Sequence, residues 1–341
     1  MGEYLYMTAF RLPDDSKTVE IAGQRPIYTV TFSHNGRLVV SGGAEGMIRR
    51  WRVDDGQEVV HAIRAEGAEI FAVDLSADNR WLVCGLRRSG VGDRKAAVQV
   101  WDAETHKKVL DIHGHKDTVF SVGISPDSTK FAAGSADKHA FIWSMTTGEK
   151  LVGPLGHDGV VVAVRFSPTG DRIATATAKN PDDQSIRIYD SKNGEQLLDI
   201  PFGIFRHISS SLSWSADGHQ LLAASYSEAK RFDTSSGILL RRWSVPGGGS
   251  CASIALSHNQ KFIAVAAYRS LSFWDALTHK LIGPVIEHTS AVWSIALSPD
   301  DYCIATGEQS GKVTLRSLRD VLPDSYFTLD VSDHTSQSRR L

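Results

Sequence analysis

The sequence predicts an all-β chain folded as a closed ring of seven four-stranded antiparallel sheets, and three observations predict it. A serine followed two residues later by a turn residue recurs seven times, at Ser33, Ser76, Ser125, Ser167, Ser215, Ser257 and Ser298. The gaps are 43, 49, 42, 48, 42 and 41 residues, a period that marks a repeat architecture. Within each period, short runs rich in β-formers alternate with turn clusters.

The most regular copy, Gly114 to Gly153, shows what each element is made of. TVFSVGIS supplies a first strand (a), and SPDSTK the turn after it. FAAGS follows (b), then the turn SADK, the strand HAFIWS (c), the turn MTTGE and the strand KLVG (d). Strands of this length with turn residues at each break make an antiparallel meander. One such sheet buries too little apolar surface to stand alone. Stacking seven around an axis covers both faces of each, which is the β-propeller solution.

The residues of this copy carry a resemblance. His115, Ser135, Asp137 and Trp143 stand where a WD-repeat β-propeller has its loop histidine, strand-b hydroxyl, b–c turn aspartate and strand-c tryptophan. The resemblance implies a buried polar relay from carboxylate to imidazole to hydroxyl to indole, leaving no polar group unsatisfied. The strand-c aromatic slot holds Trp51, Trp101, Trp143, Tyr189, Phe232 and Trp274, with Arg316 in the seventh copy. The histidine slot is kept at His115, His157 and His288 but holds Gly23, Glu66, Phe205 and Gly247 elsewhere, so few blades are expected to complete the relay. Glu45 and Arg50 also depart from the pattern, and the first and last blades are expected to be the least regular.

Thr18–Ala22 precedes the first strand a, where an outer strand d would stand, and is expected to pair with the last copy and close the ring. Phe327–Val331 is the rival for that role. Closure removes sheet edges that would otherwise invite aggregation. The expected organisation is an extension over residues 1–16, the propeller over 17–320, and a polar, disordered tail over 321–341.

Composition adds bounds. The 341 residues carry 37 Lys and Arg against 39 Asp and Glu, a balance that favours neither nucleic acid nor a membrane surface. No apolar run reaches the roughly 18–20 residues of a membrane-spanning helix. The N-terminus lacks the basic flank of a signal peptide. Cys84, Cys251 and Cys303 follow no disulfide or metal spacing and are expected to be free thiols of a cytoplasmic or nuclear protein.

Two departures from the repeat bear on function. Five residues before each repeat serine, strand a opens towards the channel rim, and the occupants are Tyr28, Phe71, Phe120, Val162, Ser210, Ala252 and Trp293. The four aromatics fall on blades 7, 1, 2 and 3, consecutive around a closed ring. They are either a plug for the channel mouth or a crescent for a partner, since such residues concentrate at binding hot spots. From serine to strand-c aromatic takes 17 or 18 residues in five copies, 22 in the fourth and 25 in the second. The second-copy insertion puts Arg87, Arg88, Arg94 and Lys95 in a b–c loop on the same face. That loop is either a solvated solubility device or a site for carboxylate or phosphate.

No nucleophile elbow, metal-ligand set or phosphate loop appears: His113 and His115 lack a third ligand, and Gly247–Ser250 lacks the lysine and helix of a phosphate loop. The resemblance implies a non-enzymatic, monomeric scaffold without cofactor or metal. Its expected partner is a protein or a peptide, acidic or phosphorylated, bound on the top face. RNA or phosphate binding through the basic loop is the alternative, and a propeller enzyme a distant third.

Overall fold

A computed structural model describes residues 18–21, 25–59, 62–65, 68–88, 98–178, 185–202, 212–225, 227–248 and 252–327, with the backbone alone at 18–21, Ala68 and Arg88. The chain forms seven antiparallel four-stranded sheets, each a blade with its first strand innermost. Blade 3 is representative: strands a to d run Val119–Ile124, Lys130–Ser135, His139–Ser144 and Lys150–Gly156. The fourth strand of blade 7 is Thr18–Ile21, which pairs with Val313–Ser317 in the register Thr18↔Arg316 to Ile21↔Val313. The N-terminal strand thus closes the ring, and residues 328–331 of its rival lie outside the described residues.

The repeat serine has a physical reason. In every copy its hydroxyl is buried beneath the a–b turn. In blade 3 Ser125 Oγ donates to Asp127 Oδ1 (2.6 Å) and accepts from the Lys130 N–H (3.0 Å), tying both arms of the hairpin. The residue three beyond the serine is left-handed in all seven copies: Gly36, Asn79, Ser128, Gly170, Gly218, Gln260 and Asp301. Asn, Asp and Gly tolerate that conformation best, so the turn residues recur at the serine's spacing.

Neighbouring blades are packed through shared apolar clusters. Strand b of blade 2 (Trp81–Arg88) and strand a of blade 3, for example, meet through Val83, Val119 and Val122. Hydroxyls facing the channel add a polar latch. Ser294 Oγ accepts from the Val30 N–H (3.1 Å), Thr29 Oγ1 from Val73 (3.3 Å), Ser121 Oγ from Val164 (3.1 Å) and Ser253 Oγ from Ile295 (3.3 Å). Each joins one blade to the next, worth about 1 kcal/mol apiece. Ala72 lacks the hydroxyl in blade 2, where Asp74 Oδ2 takes the Ile124 N–H instead (2.9 Å).

Several expectations meet the structure differently. Arg50 is buried and donates to the Ala103 carbonyl of blade 2 (2.8 Å) and to His106, so a departure in strand c of blade 1 becomes a bond between blades. Irregularity is greatest in blade 1, whose strand d has two residues (Ile63–Arg64), and in blade 5, whose strand a has three (Leu212–Trp214). Phe202, in the apolar insertion before blade 5, folds into the core against Phe232. Residues 321–327, expected to belong to a disordered tail, instead pack: Leu322 is buried, and Tyr326 hydroxyl donates to Asp275 (2.8 Å). Two large apolar side chains with a core to enter outweigh the polar composition that follows them. Cys84 and Cys303 are buried free thiols, each pushed up to about 12 by burial, and Cys251 lies outside the described residues. Among the described residues no helix is long and apolar enough to cross a membrane.

Candidate interaction surface

Strand a begins on the face where strand b ends, and there each blade makes a local choice. In blade 3, Val119 pairs with Ser135 and Ser121 with Gly134, leaving Phe120 as an extra residue in a β-bulge. The same bulge falls at Tyr28, Phe71, Val162 and Trp293, but strand a of blade 6 (Ala252–Leu256) runs without one at Ala252. A bulge frees its residue from the ladder and re-aims its side chain. The four aromatics predicted from spacing are therefore all turned out of their sheets at the rim.

The rings meet. Trp293 stacks on Tyr28 (4.9 Å between centroids, 10° between planes), Tyr28 on Phe71 (4.6 Å, 16°), and Phe71 meets Phe120 edge-on (5.3 Å, 86°). Phe71 is buried in the row, whereas Tyr28, Phe120 and Trp293 stay partly exposed. The row forms an apolar ledge along one side of the mouth. Across it stand Val162 and Ala252, while Ser210 lies outside the described residues. Below the ledge lies a cavity of about 260 Å³, lined by strand-a side chains.

Of the four basic residues, Arg87 and Arg88 end strand b of blade 2 rather than lying in a loop, and Arg94 and Lys95 fall outside the described residues. Arg87 lies over the Phe71 ring (5.9 Å) and beside Glu69, its cross-strand partner (3.6 Å). Around this cluster the Tyr28 hydroxyl is pushed up, first by burial and then by Glu69, with Arg87 opposing. Deeper in the channel, burial raises the Asp74 carboxyl, and the charge of Arg165 offsets part of that.

The residues assigned to the polar relay are distributed as follows. His115 Nδ1 lies 2.9 Å from Asp137 Oδ2, and Asp137 also accepts from the Lys116 N–H (2.7 Å). Burial alone would raise the Asp137 carboxyl, but the hydrogen bond and charge of His115 hold it below the usual range. Ser135 does not continue the relay; its hydroxyl donates to the Asp117 carbonyl (2.8 Å). The reason is register. In blade 4, His157 Nε2 meets Thr175 Oγ1 (2.9 Å) and the Tyr189 hydroxyl (3.3 Å), and Thr175 stands eight residues after its repeat serine. The eighth residue in blade 3 is Ala133, so His115 meets the Trp143 ring edge (5.5 Å, 69°) instead. In blade 7, His288 Nδ1 pairs with Glu308 Oε1 (3.0 Å), lowering a carboxyl that burial would raise. Among the described residues no three His, Cys, Asp or Glu side chains converge as metal ligands.

Sequence reasoning missed the bulges and the channel hydroxyls. The hydroxyls were detectable, because Thr29, Ser121, Ser253 and Ser294 all stand four residues before a repeat serine. The bulges leave no such mark, since Tyr, Phe, Val and Trp share neither size nor chemistry.

A family model described as "WD domain, G-beta repeat" matches residues 16–52, 106–144, 149–190 and 279–316. Each match runs from one blade's outer strand to the strand-c residue of the next. The chain is similar to apoptotic protease-activating factor 1 of Rattus norvegicus, 28% identical over 231 residues, covering 67% of this chain and 17% of that protein. WD repeat-containing protein 90 of Homo sapiens is 29% identical over 126 residues, 34% of this chain and 7% of its own. Transcription factor unc-37 of Caenorhabditis elegans is 25% identical over 130 residues, 37% of this chain and 21% of its own. The chain thus spans less than a quarter of each of these three relatives.

Proposed function

This chain belongs to the WD-repeat β-propeller family, and from that premise we propose that it is a non-enzymatic scaffold docking a partner protein or peptide on the rim that carries the aromatic ledge. One observation carries the proposal: Trp293, Tyr28, Phe71 and Phe120 occupy bulges on four consecutive blades and form a single row of touching rings. The repeat needs no aromatic at this position, because Val162 and Ala252 fill it in blades 4 and 6. A row confined to one arc is what an asymmetric ligand would select, and large rings concentrate binding energy.

The partner chemistry follows from the neighbours. Arg87 sits over Phe71 with half its side chain in solvent, so a carboxylate or phosphate of a bound peptide would lie beside an apolar anchor on the ledge. One cation beside Glu69 is too few for a phosphate-driven RNA site, whose affinity comes from neutralising several phosphates. Proximity labelling with the wild-type chain and with a Phe120→Ala, Trp293→Ala double variant tests the proposal. The expected result is a set of partners present with the first and lost with the second. An identical partner list from both chains would remove the ledge as a docking site.

A further inference from the structure

Blade 5 breaks the repeat on its outer edge, in a way that the ledge does not explain. Its strands c and d are Glu228–Asp233 and Leu239–Ser244. In their register Lys230 stands opposite Arg242 and Arg231 opposite Arg241, two like-charge pairs side by side. Like charges directly across a ladder are destabilising. Compensation is slight. Lys230 reaches the Phe202 carbonyl (2.6 Å) and Glu228 (3.5 Å), while Arg241 and Arg242 are exposed and make no ion pair among the described residues. At the place of Arg231, blades 2, 3, 4, 6 and 7 put an apolar residue, such as Ile142 in blade 3 and Ile188 in blade 4, and blade 1 puts Arg50.

The same edge is guarded only by these cations. Strand d is the outermost strand of its blade and leaves one row of backbone N–H and C=O groups without a ladder partner. The outer strands of blades 3, 4 and 6 carry Pro154, Pro201 and Pro284, a residue that blocks further pairing. That of blade 2 carries Asp111, engaged by Lys108 (2.8 Å). Strand d of blade 5 has neither proline nor carboxylate. Beside its cations it exposes apolar side chains: Ile238 is 63% accessible, Leu239 44% and Leu240 46%. The c–d turn of blade 6 packs against this strand through His279 on Trp243 (4.7 Å between rings), and Leu277 of the same turn is 85% accessible.

We propose that this edge of blade 5 is a second interaction surface, which takes an extended acidic segment of a partner protein as a fifth strand. Ladder pairing would satisfy the free backbone row. Arg241 and Arg242 are consecutive and face opposite sides of the sheet, so two adjacent carboxylates of the added strand would meet one arginine each, with flanking aliphatic groups beside the exposed leucines, and complementary charge would fix the register. A nucleic acid would match the cations but leave the leucines and the backbone row unused, which favours the peptide.

Short fluorescent peptides with a pair of adjacent glutamates flanked by aliphatic residues, titrated onto the full chain by anisotropy, test this. Saturable binding is expected, weakening about tenfold or more in Arg241→Gln, Arg242→Gln, a conservative pair on exposed positions whose melting checks the fold. Binding is expected to fail with peptides interrupted by proline, to persist in the Phe120→Ala, Trp293→Ala variant, and to slow amide exchange at Leu239–Ser244. That persistence separates this surface from the ledge. Absence of saturable binding, equal binding of the proline-interrupted peptides, or indifference to the arginine changes would each overturn it. So would an oligonucleotide or anionic vesicles occupying these arginines where the peptides do not.

Discussion

Blades 3 and 5 have the same four strands in the same order, yet they use the repeat differently. In blade 3 the strand-c interior is apolar, Trp143 stacks on Phe131 (5.5 Å), His115 holds Asp137, and the outer strand carries Pro154. In blade 5 the aromatic slot is still filled, by Phe232 against Phe202, but a guanidinium lies beside it and the outer strand is cationic and open. Both blades keep the buried serine of the a–b turn and the left-handed residue after it. The difference teaches that the repeat constrains turn and inner strands tightly and leaves the rim and the outer edge free to diverge.

The contrast can be broken most severely by exchanging the residue that differs. Ile142→Arg in blade 3 would place an unpaired charge in a fully buried position and is expected to cost about 3–5 kcal/mol in denaturant unfolding. The reverse exchange, Arg231→Leu in blade 5, removes a like-charge pair and a guanidinium whose Nε has no hydrogen-bond partner among the described residues. It is expected to raise stability by about 1 kcal/mol, read in the same titration. A loss of stability there would mean that Arg231 serves the fold.

Acid sharpens the comparison further. The Asp137 carboxyl is held low in the folded blade, so its contribution is complete above the unfolded value near 3.9 and lost as pH falls through the folded value. Wild-type stability is therefore expected to fall below about pH 4 more steeply than that of Asp137→Asn, by about 1 kcal/mol over the transition. Parallel acid profiles for the two proteins would show that the His115 pairing contributes nothing.

Much of this was legible in the sequence because a repeat supplies its own alignment. Seven serines set the blade count and boundaries, since each anchors the same hairpin turn with the same hydrogen bonds. The closing strand at Thr18–Ile21 followed from its offset to strand a. The aromatic row followed from the serine ruler, but its stacking did not, because bulges are set by backbone register rather than by residue type. Ser135 was placed in the relay by its position beside the b–c turn, whereas the residue that meets the histidine stands two earlier in strand b, where blade 3 has Ala133. The packing of Leu322 and Tyr326 was hidden because their partners in blade 6 lie about fifty residues away in sequence. The cationic pairing of blade 5 was hidden likewise, since it exists only once Lys230 and Arg242 are in register.

The central claim is that positions which keep the repeat hold the fold together and positions which break it serve recognition. Thermal unfolding of the Phe120→Ala, Trp293→Ala variant beside Trp143→Ala tests it most directly. Trp143 is buried among Phe131, Phe141 and Val83, and its loss is expected to cost about 3–5 kcal/mol. The ledge variant, despite losing two rings, is expected to give up less than half of that stability. A ledge variant as unstable as Trp143→Ala would contradict it and make the row of rings a plug of the propeller's own core.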